Sequence, residues 1–564
     1  MSGDLVFVPL GGVGEIGMNV YLYGLDDQWI MVDLGLTFAD DRLPGADLVL
    51  PDLSFIEERK DRLLGIVITH AHEDHIGAVP YLWPKLGVPV YCTRFPAAVL
   101  NRKLVENSVK PASAIREMIP GQPFDLGPFH CCLMHVTHSI PDANALAIDT
   151  PYGRILHTGD WKLDPAPMVG ERTDVERLES FGDEGVLAMV ADSTNVMSPG
   201  TSGSEAEVRD SLKALIRKQT GCVVLTTFAS NIARLETAML AGHEAGRSVV
   251  VVGRSMHRMI DAARESGFLA NMPPVLDERD VTQLPREKLL YLVTGSQGEP
   301  RAALMRIAFG NHPRIKLEAG DTAIFSSKII PGNERTLYNL HNQLVQRGVE
   351  VITEEDHFVH VSGHPCRDEM EQMYRWMKPR IAVPVHGETR HLYAHARLAE
   401  RLGVEAAPII RNGDMLRLAP GPVGVIDEVP TGRLVLESTE LVDAGDDLYR
   451  TRRRLMSHGT IQVVLVLDSY GSLLASPRVT PVGAVEMEGF TDIAENTAER
   501  LSDAIEDLND RDVLDDERVE MAIRTALRQA MNLPKFKRPI IDVQIIRIAP
   551  ETIDPMQGKK KGAA

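Results

Sequence analysis

The chain has 564 residues, enough for several domains rather than one core, and 44% hydrophobic against 25% charged residues marks a folded globular protein. Its formal net charge of −19 argues against a protein that coats nucleic acid through a basic surface, but leaves open a nucleic-acid substrate gripped locally. No apolar run approaches transmembrane length, Met1-Ser2-Gly3-Asp4 lacks the basic start of a signal peptide, and Cys92, Cys131, Cys132, Cys222 and Cys366 form no C-x-x-C pair, so a reduced, cytoplasmic protein without membrane contact is expected.

Residues 5–10 read as a strand that leads into Gly11-Gly12-Val13-Gly14-Glu15-Ile16-Gly17. Gly12, Gly14 and Gly17 match the G-x-G-x-x-G pattern of dinucleotide sites, and Asp33 stands near where a ribose-binding acid would be. That pattern needs a helix after the glycines. Here residues 19–23 and 29–33 are β-rich and separated by Asp26-Asp27, which predicts a hairpin and rejects the cofactor reading.

The apolar run 63–68 ends in His70-Ala71-His72-Glu73-Asp74-His75. In extended chain, residues two apart face the same way, so His70 and His72 can grip one ion. Asp74 and His75 fall in the following turn and can serve a second ion nearby. A helix is expected from His75 toward Leu82. Residues 132–138 form a strand ending in His138, residues 154–160 one ending in Asp160, and residues 186–190 one followed by Asp192-Ser193-Thr194-Asn195. Polar side chains recur where apolar strands stop, the layout of a site on one edge of a sandwich. His138 is placed to complete the first ion, Asp160 to bridge both, and His386 to complete the second. Two metals about 3.5–4 Å apart share a water, lower its pKa and clamp attacking and leaving oxygens.

From 206 to 365 the pattern becomes strand–helix alternation, with strands at 223–228, 249–252, 289–293 and 322–325 and helices at 232–241 and 256–266. This predicts a βαβ unit with a parallel sheet. Residues 381–386 again form a strand ending in histidine, and residues 421–455 hold few patterns and read as connecting chain. A last domain follows, with strands at 461–467 and 540–548 and helices at 491–508 and 516–531; the tail with Lys559-Lys560-Lys561 is expected to be disordered.

H-x-H-x-D-H, with Asp33 before it and His138 and Asp160 after it, resembles the metallo-β-lactamase fold. Asp33 matches that fold's acid supporting the site from behind the ligands. His386 follows Asp160 only after the strand–helix block, and an insertion of this kind resembles the β-CASP branch, whose members cut nucleic acids. Within that branch, Thr137-His138-Ser139-Ile140-Pro141-Asp142, His157-Thr158-Gly159-Asp160-Trp161-Lys162, Ile330-Pro331-Gly332-Asn333-Glu334 and Pro384-Val385-His386-Gly387-Glu388 resemble the bacterial ribonuclease J family.

The resemblance implies an α/β architecture: a metallo-β-lactamase αββα sandwich (1–205 and 366–425), an inserted β-CASP α/β domain (206–365), a linker (426–455), a small α/β C-terminal oligomerisation or accessory domain (456–555) and a tail (556–564). It implies two zinc ions, with manganese or magnesium as alternatives, on His70, His72, Asp74, His75, His138, Asp160 and His386. Asp74 and Asp192 join the catalytic set with His364, which would donate a proton to the departing ribose 3′ oxygen or hold the phosphate while Asp192 orients it. Ser230, Asn231, Arg234, Gly295 and Ser296 would line an RNA channel, and Ser362, Gly363 and His364 would seat a 5′-monophosphate. Ordinary capping and turn chemistry is the alternative for these segments. Pro365 and Lys328-Ile329 depart from the family's usual residues and put fine channel geometry in doubt.

The implied activity is a metal-dependent ribonuclease of RNA decay and processing, including rRNA processing. It would act as a 5′-to-3′ exonuclease favouring 5′-monophosphate ends on single-stranded RNA, with endonuclease cuts as well. A homodimer or homotetramer and partners in an RNA-decay complex are also implied. The alternatives are a DNA-directed nuclease of the same branch, a small-molecule metallo-hydrolase of the same fold, and a catalytically dead RNA-binding scaffold. The long insertion speaks against a small substrate, and the intact ligand set against a scaffold.

Overall fold

The computed structural model describes residues 3–110, 114–281, 284–483, 490–530 and 539–549. The tail expected at 556–564 lies outside the described residues. The chain divides into two compact units, Met1–Phe38 with Leu48–Leu434 and Ala39–Asp47 with Val435–Ala564.

Two sheets dominate the first unit. One has eight strands in the order Gly424–Glu428, Asp414–Ala419, Leu5–Gly11, Val20–Leu25, Gln28–Val32, Leu63–Val67, Val90–Cys92 and Ile115–Glu117. The other has six, in the order Pro123–Leu126, Phe129–His135, Asn144–Thr150, Gly153–His157, Ala188–Asp192 and Ile381–Val385. Alternate residues of both sheets, among them Phe7, Tyr21, Tyr23, Leu133, Leu146 and Ile148, share one buried core. The opposite face of the six-stranded sheet packs Met134, Ala147, Leu156 and Met189 against Leu178, Phe181, Met370, Met373 and Met377 of the helices Val175–Asp183 and Arg367–Met377. The expected sandwich is present. The hairpin Val20–Leu25/Gln28–Val32 follows the glycines, as the rejection of a dinucleotide site requires.

Strand direction positions the site. Gln28–Val32 runs parallel to Leu63–Val67, and Gly153–His157, Ala188–Asp192 and Ile381–Val385 run parallel to one another. Asp33, His70, Asp160, Asp192 and His386 therefore all emerge at or just beyond the C-terminal ends of parallel strands, the usual place for a site in such sheets.

The insert is a six-stranded, wholly parallel sheet in the order Leu276–Asp277, Ser248–Val252, Leu289–Val293, Val223–Thr226, Thr322–Phe325 and Glu350–Ile352. Runs such as Val249-Val250-Val251-Val252 are buried throughout, as helices on both faces demand.

Residues 421–455, read from sequence as connecting chain, carry the strands Gly424–Glu428, Arg433–Glu437 and Glu440–Asp443 and most of the helix Asp447–His458. These strands are short and half-exposed, so they lack the apolar alternation that announces a strand.

The second unit centres on the strand Thr460–Asp468, antiparallel to Arg478–Val482 and parallel to Ile540–Ile548. Ile461, Val463, Leu465 and Leu467 on one face of it pack against Leu501, Ile505, Val519, Ile523 and Leu527 of the helices Phe490–Glu506 and Asp516–Ala530. Among the described residues, no helix is long and apolar enough to cross a membrane.

Candidate metal centre

The strand Leu63–Val67 gives way to an extended lead-in that carries His70, and His72 stands just before the helix Glu73–Ile76 without capping it through its side chain. The single helix expected from His75 to Leu82 is instead two, Glu73–Ile76 and Val79–Leu86. Pro80 suits the first turn of the second, and Gly77 lets Leu36 approach: a Cβ there would lie 2.5 Å from Leu36 Cγ. His138 and Asp160 were expected at strand ends, but their strands stop at His135 and His157. Both side chains ride on the loops that follow, which are tied together by a bridge between Thr137 and Lys162.

Nine side chains converge in three overlapping groups. His70, His72, His138 and Asp160 form the first, Asp74, His75, Asp160 and His386 the second, and Asp160, Asp192, His364 and His386 a third, with the donor atoms of each within 4.8 Å of one another. In the first, His72 Nδ1 lies 3.1 Å from His70 Nε2 and 3.0 Å from His138 Nε2. Asp160 Oδ2 is common to the first two: it lies 3.8 Å from His70 Nε2, 4.0 Å from His138 Nε2, 3.2 Å from His75 Nε2 and 3.4 Å from His386 Nε2. Nitrogen donors at about 2.0–2.1 Å from a tetrahedral ion stand roughly 3.3 Å apart, so these separations fit a cation inside each of these two groups.

Proton placement points the same way. The outer nitrogen Nδ1 of each of four rings faces an acceptor: His70 the Thr69 hydroxyl (3.0 Å), His75 the Asp33 carboxylate (2.7 Å), His138 the Gly363 carbonyl (2.6 Å) and His386 the Asn19 amide oxygen (3.3 Å). Thr69 donates its own hydroxyl proton to Asp33, so it accepts from His70. In a neutral ring a proton on Nδ1 leaves Nε2 bare and aimed inward, the usual arrangement of a ligating histidine; of the four, His75 stands apart, its Nε2 lying 3.2 Å from Asp160 Oδ2. His386 Nε2 is buried with no hydrogen-bond partner, an orphan that a cation would satisfy.

Burial pushes the pKa values of His70 and His138 well below the ordinary imidazole value and that of His72 down to about 4, so these three offer neutral lone pairs. Burial also opposes ionisation of Asp160, but His386, His75 and His364 outweigh it and hold the carboxyl well below its usual range. His75 is the converse: burial opposes its charge, while Asp160, Asp74 and Asp33 raise its pKa well above normal. Asp33, fully buried, accepts from the Thr69 amide, the Thr69 hydroxyl and His75, and so braces the site from behind.

His364 stands beside the shared carboxylate, with Nδ1 2.8 Å from Asp192 Oδ2 and 3.8 Å from Asp160 Oδ2. Burial opposes its charge, but Asp192 and Asp160 raise its pKa to about 9. Its loop is fastened by Asn195, which donates to Ser362 Oγ (2.7 Å) and to the His364 carbonyl (3.1 Å). Gly363 reaches the centre through the carbonyl that orients His138, and Ser362 accepts from the His364 amide within the same loop.

The other expected RNA contacts fare differently. Ser230 is half-buried before the helix Ile232–Glu244, and Gly295 and Ser296 are buried in the turn after Leu289–Val293. Arg234 contradicts its expected role. It is 0% exposed, paired with Glu205 at 2.9 Å, and donates to the Ser326 and Val359 carbonyls, so its guanidinium is committed to the interior rather than open to a phosphate. Asn231 caps the helix by accepting from the Arg234 amide and donates to Glu205. A polar helix start reads like a phosphate grip, but here it faces a buried carboxylate. Two residues of the site went unassigned, Asn19 and Asn195. Asn195 belongs to the polar run that follows an apolar strand, and Asn19 is the first polar residue after the glycines.

Over 550 residues the chain is 44% identical to Ribonuclease J of Sinorhizobium meliloti, an alignment covering 97% of this chain and 98% of that protein. The chain belongs to the ribonuclease J family. Family models match it in order: the metallo-beta-lactamase superfamily at 13–226, the Ribonuclease J beta-CASP domain at 220–344, the Zn-dependent metallo-hydrolase RNA specificity domain at 348–408 and the Ribonuclease J C-terminal domain at 448–548. Ribonuclease J of Corynebacterium glutamicum is 36% identical over 98% of this chain and 77% of its own length. A crystal structure of a protein of unknown function from Enterococcus faecalis V583 shares the fold, with a TM-score of 0.51 at 17% identity over 74% of this chain and all (100%) of that one. Like other ribonuclease J proteins, this one is a hydrolytic ribonuclease, and its His/Asp cluster could hold metal.

Proposed function

We propose that the chain hydrolyses single-stranded RNA at this cluster, as a 5′-to-3′ exonuclease favouring 5′-monophosphate ends with endonuclease cuts as a second mode. The observation that carries this reading is one carboxylate oxygen, Asp160 Oδ2, standing 3.2 to 4.0 Å from four imidazole nitrogens with the His364–Asp192 pair alongside. His70, His72, His138 and Asp160 would hold one divalent cation, and Asp74, His75, Asp160 and His386 a second. The imidazole-rich donors favour zinc, and the carboxylates keep manganese and magnesium as alternatives. Two such cations, when bound, activate water and neutralise phosphate charge.

The protein's own part is to place protons and phosphate. Asp192 accepts from His364 Nδ1, so the proton available to substrate sits on Nε2. His364 passes that proton to the ribose 3′ oxygen as its bond to phosphorus breaks, leaving a 3′-hydroxyl on one fragment and a 5′-phosphate on the other. Ser362 and Gly363, on the same loop, are the candidates for seating a terminal 5′-monophosphate.

Free cysteines at all five positions support a cytoplasmic setting. The half-exposed outer face of Thr460–Asp468 supports a homodimer or homotetramer built through the C-terminal domain. Matched 5′-monophosphate and 5′-triphosphate RNAs, incubated with wild type and Asp74→Ala, test the reading. Mononucleotide release from the monophosphate RNA alone, lost in Asp74→Ala, is expected. Equal cutting of both RNAs would replace the exonuclease assignment with internal cleavage.

A further inference from the structure

The glycine-rich segment that imitates a dinucleotide motif has no part in the chemistry described so far. It packs directly behind the second donor group. The His386 amide donates to the Gly12 carbonyl at 2.7 Å, and Val13–Gly14 pairs in parallel with Gly387–Glu388. His386 itself has φ +50°, a left-handed conformation that a non-glycine residue keeps only when its surroundings enforce it.

Asn19, fully buried just after the glycines, supplies the side-chain half of this support. Its Oδ1 accepts from the Tyr21 hydroxyl at 2.7 Å and faces His386 Nδ1 at 3.3 Å. Its Nδ2 lies 3.1 Å from the Asp74 carbonyl, 3.3 Å from Asp74 Oδ2 and 3.0 Å from His75 Nε2. Asp74 selects the orientation of the amide, because the flipped one would set its oxygen against two acceptors of Asp74. The Tyr21 hydroxyl fixes that orientation from the far side. Gly12 is required by the same packing: a Cβ there would lie 2.3 Å from Tyr21 Oη and 2.5 Å from Asn19 Oδ1.

Asn19 thus touches three of the four donors in the second group. Among the described residues, its hydrogen bonds reach none of His70, His72 and His138. We infer that Asn19, locked by Tyr21 and Gly12, is a positioning residue that sets the affinity of the second cation position selectively. It turns His386 Nε2 inward and holds Asp74 beside it. The inference rests on the ligand assignment proposed above, and its test separates the two.

Mn2+ is titrated into chelator-stripped full-length protein, with free ion read by electron paramagnetic resonance. Wild type should bind two equivalents. Asn19→Ala should keep the first at wild-type affinity and bind the second about 10–100-fold more weakly, the usual loss when a group orienting a ligand is removed. Tyr21→Phe should move the second equivalent in the same direction by less, since Asn19 keeps its contacts with His386 and Asp74. His386→Ala should lose one equivalent. If His386→Ala still binds two, the ligand assignment falls and this inference with it. If His386→Ala loses one but Asn19→Ala binds both like wild type, only the inference falls. Weakening of both equivalents alike in Asn19→Ala and Tyr21→Phe would overturn the selectivity.

Discussion

Two of the buried polar clusters in the first unit are built on opposite principles. Around Arg234, donors and acceptors balance. Its guanidinium is shared among Glu205, the Ser326 hydroxyl and carbonyl and the Val359 carbonyl, and Asn231 completes the Glu205 carboxylate. Around Asp160 they do not balance. Four imidazole rings crowd one carboxylate oxygen, and the buried His386 Nε2 finds no hydrogen-bond partner. A satisfied cluster holds a fold together, whereas an unsatisfied one costs stability unless something else enters. The crowding of four imidazole rings on one carboxylate oxygen is what sets the second cluster apart from the first.

Breaking the unbalanced cluster should cost activity and little else. Asp160→Ala removes the oxygen shared by the first two donor groups, and RNA turnover should fall on the order of 10⁴-fold or more, several kcal/mol of lost charge stabilisation. Cleavage assays on 5′-monophosphate RNA would show it, and turnover within tenfold of wild type would contradict the shared-ligand role. Next comes His364→Ala, expected to lower kcat by about 10²–10⁴-fold while metal content stays at the wild-type level. A variant that lost metal instead would make His364 a ligand rather than a proton donor.

The balanced cluster should answer in stability. Arg234→Met leaves Glu205 buried without its partner, a loss of about 3–5 kcal/mol in urea unfolding, with metal stoichiometry unchanged. Unaltered stability combined with weaker RNA binding would restore Arg234 as a substrate contact. The smallest effect belongs to Asn195→Ala, which frees the His364 loop by removing two hydrogen bonds. About 1–3 kcal/mol, read as a roughly 10–100-fold fall in kcat with KM nearly constant, is expected.

How far the sequence reveals this depends on how close the partners lie along it. His70, His72, Asp74 and His75 fall within one short run, so their chemistry is plain from spacing alone. His364 joins the centre from the end of the insert and His386 from beyond it; a strand ending in histidine pointed to His386, and only family resemblance connected His364 to the centre. Apolar runs located the central strands of the insert and many strands of both sheets, because burial on one or both faces leaves a period that can be read, but strands such as Val90–Cys92, Asn144–Thr150 and Asp414–Ala419 went unread. The runs located strand ends less well: Phe129–His135 and Gly153–His157 stop short of His138 and Asp160, where loop conformation rather than hydrophobicity takes over. Arg234 was misread because its partners, Glu205, Ser326 and Val359, are scattered along the chain and leave no local trace. The strands between 424 and 443 went unseen because half-exposed residues carry no alternation.

His386 enters from the last strand of the six-stranded sheet, after the whole insert has been traversed. A nascent chain still on the ribosome therefore lacks one donor of the second group until translation has passed residue 386 and that strand has docked beside Ala188–Asp192. Products of synthesis that stop before residue 386 carry the conspicuous histidine run without the full set of donors.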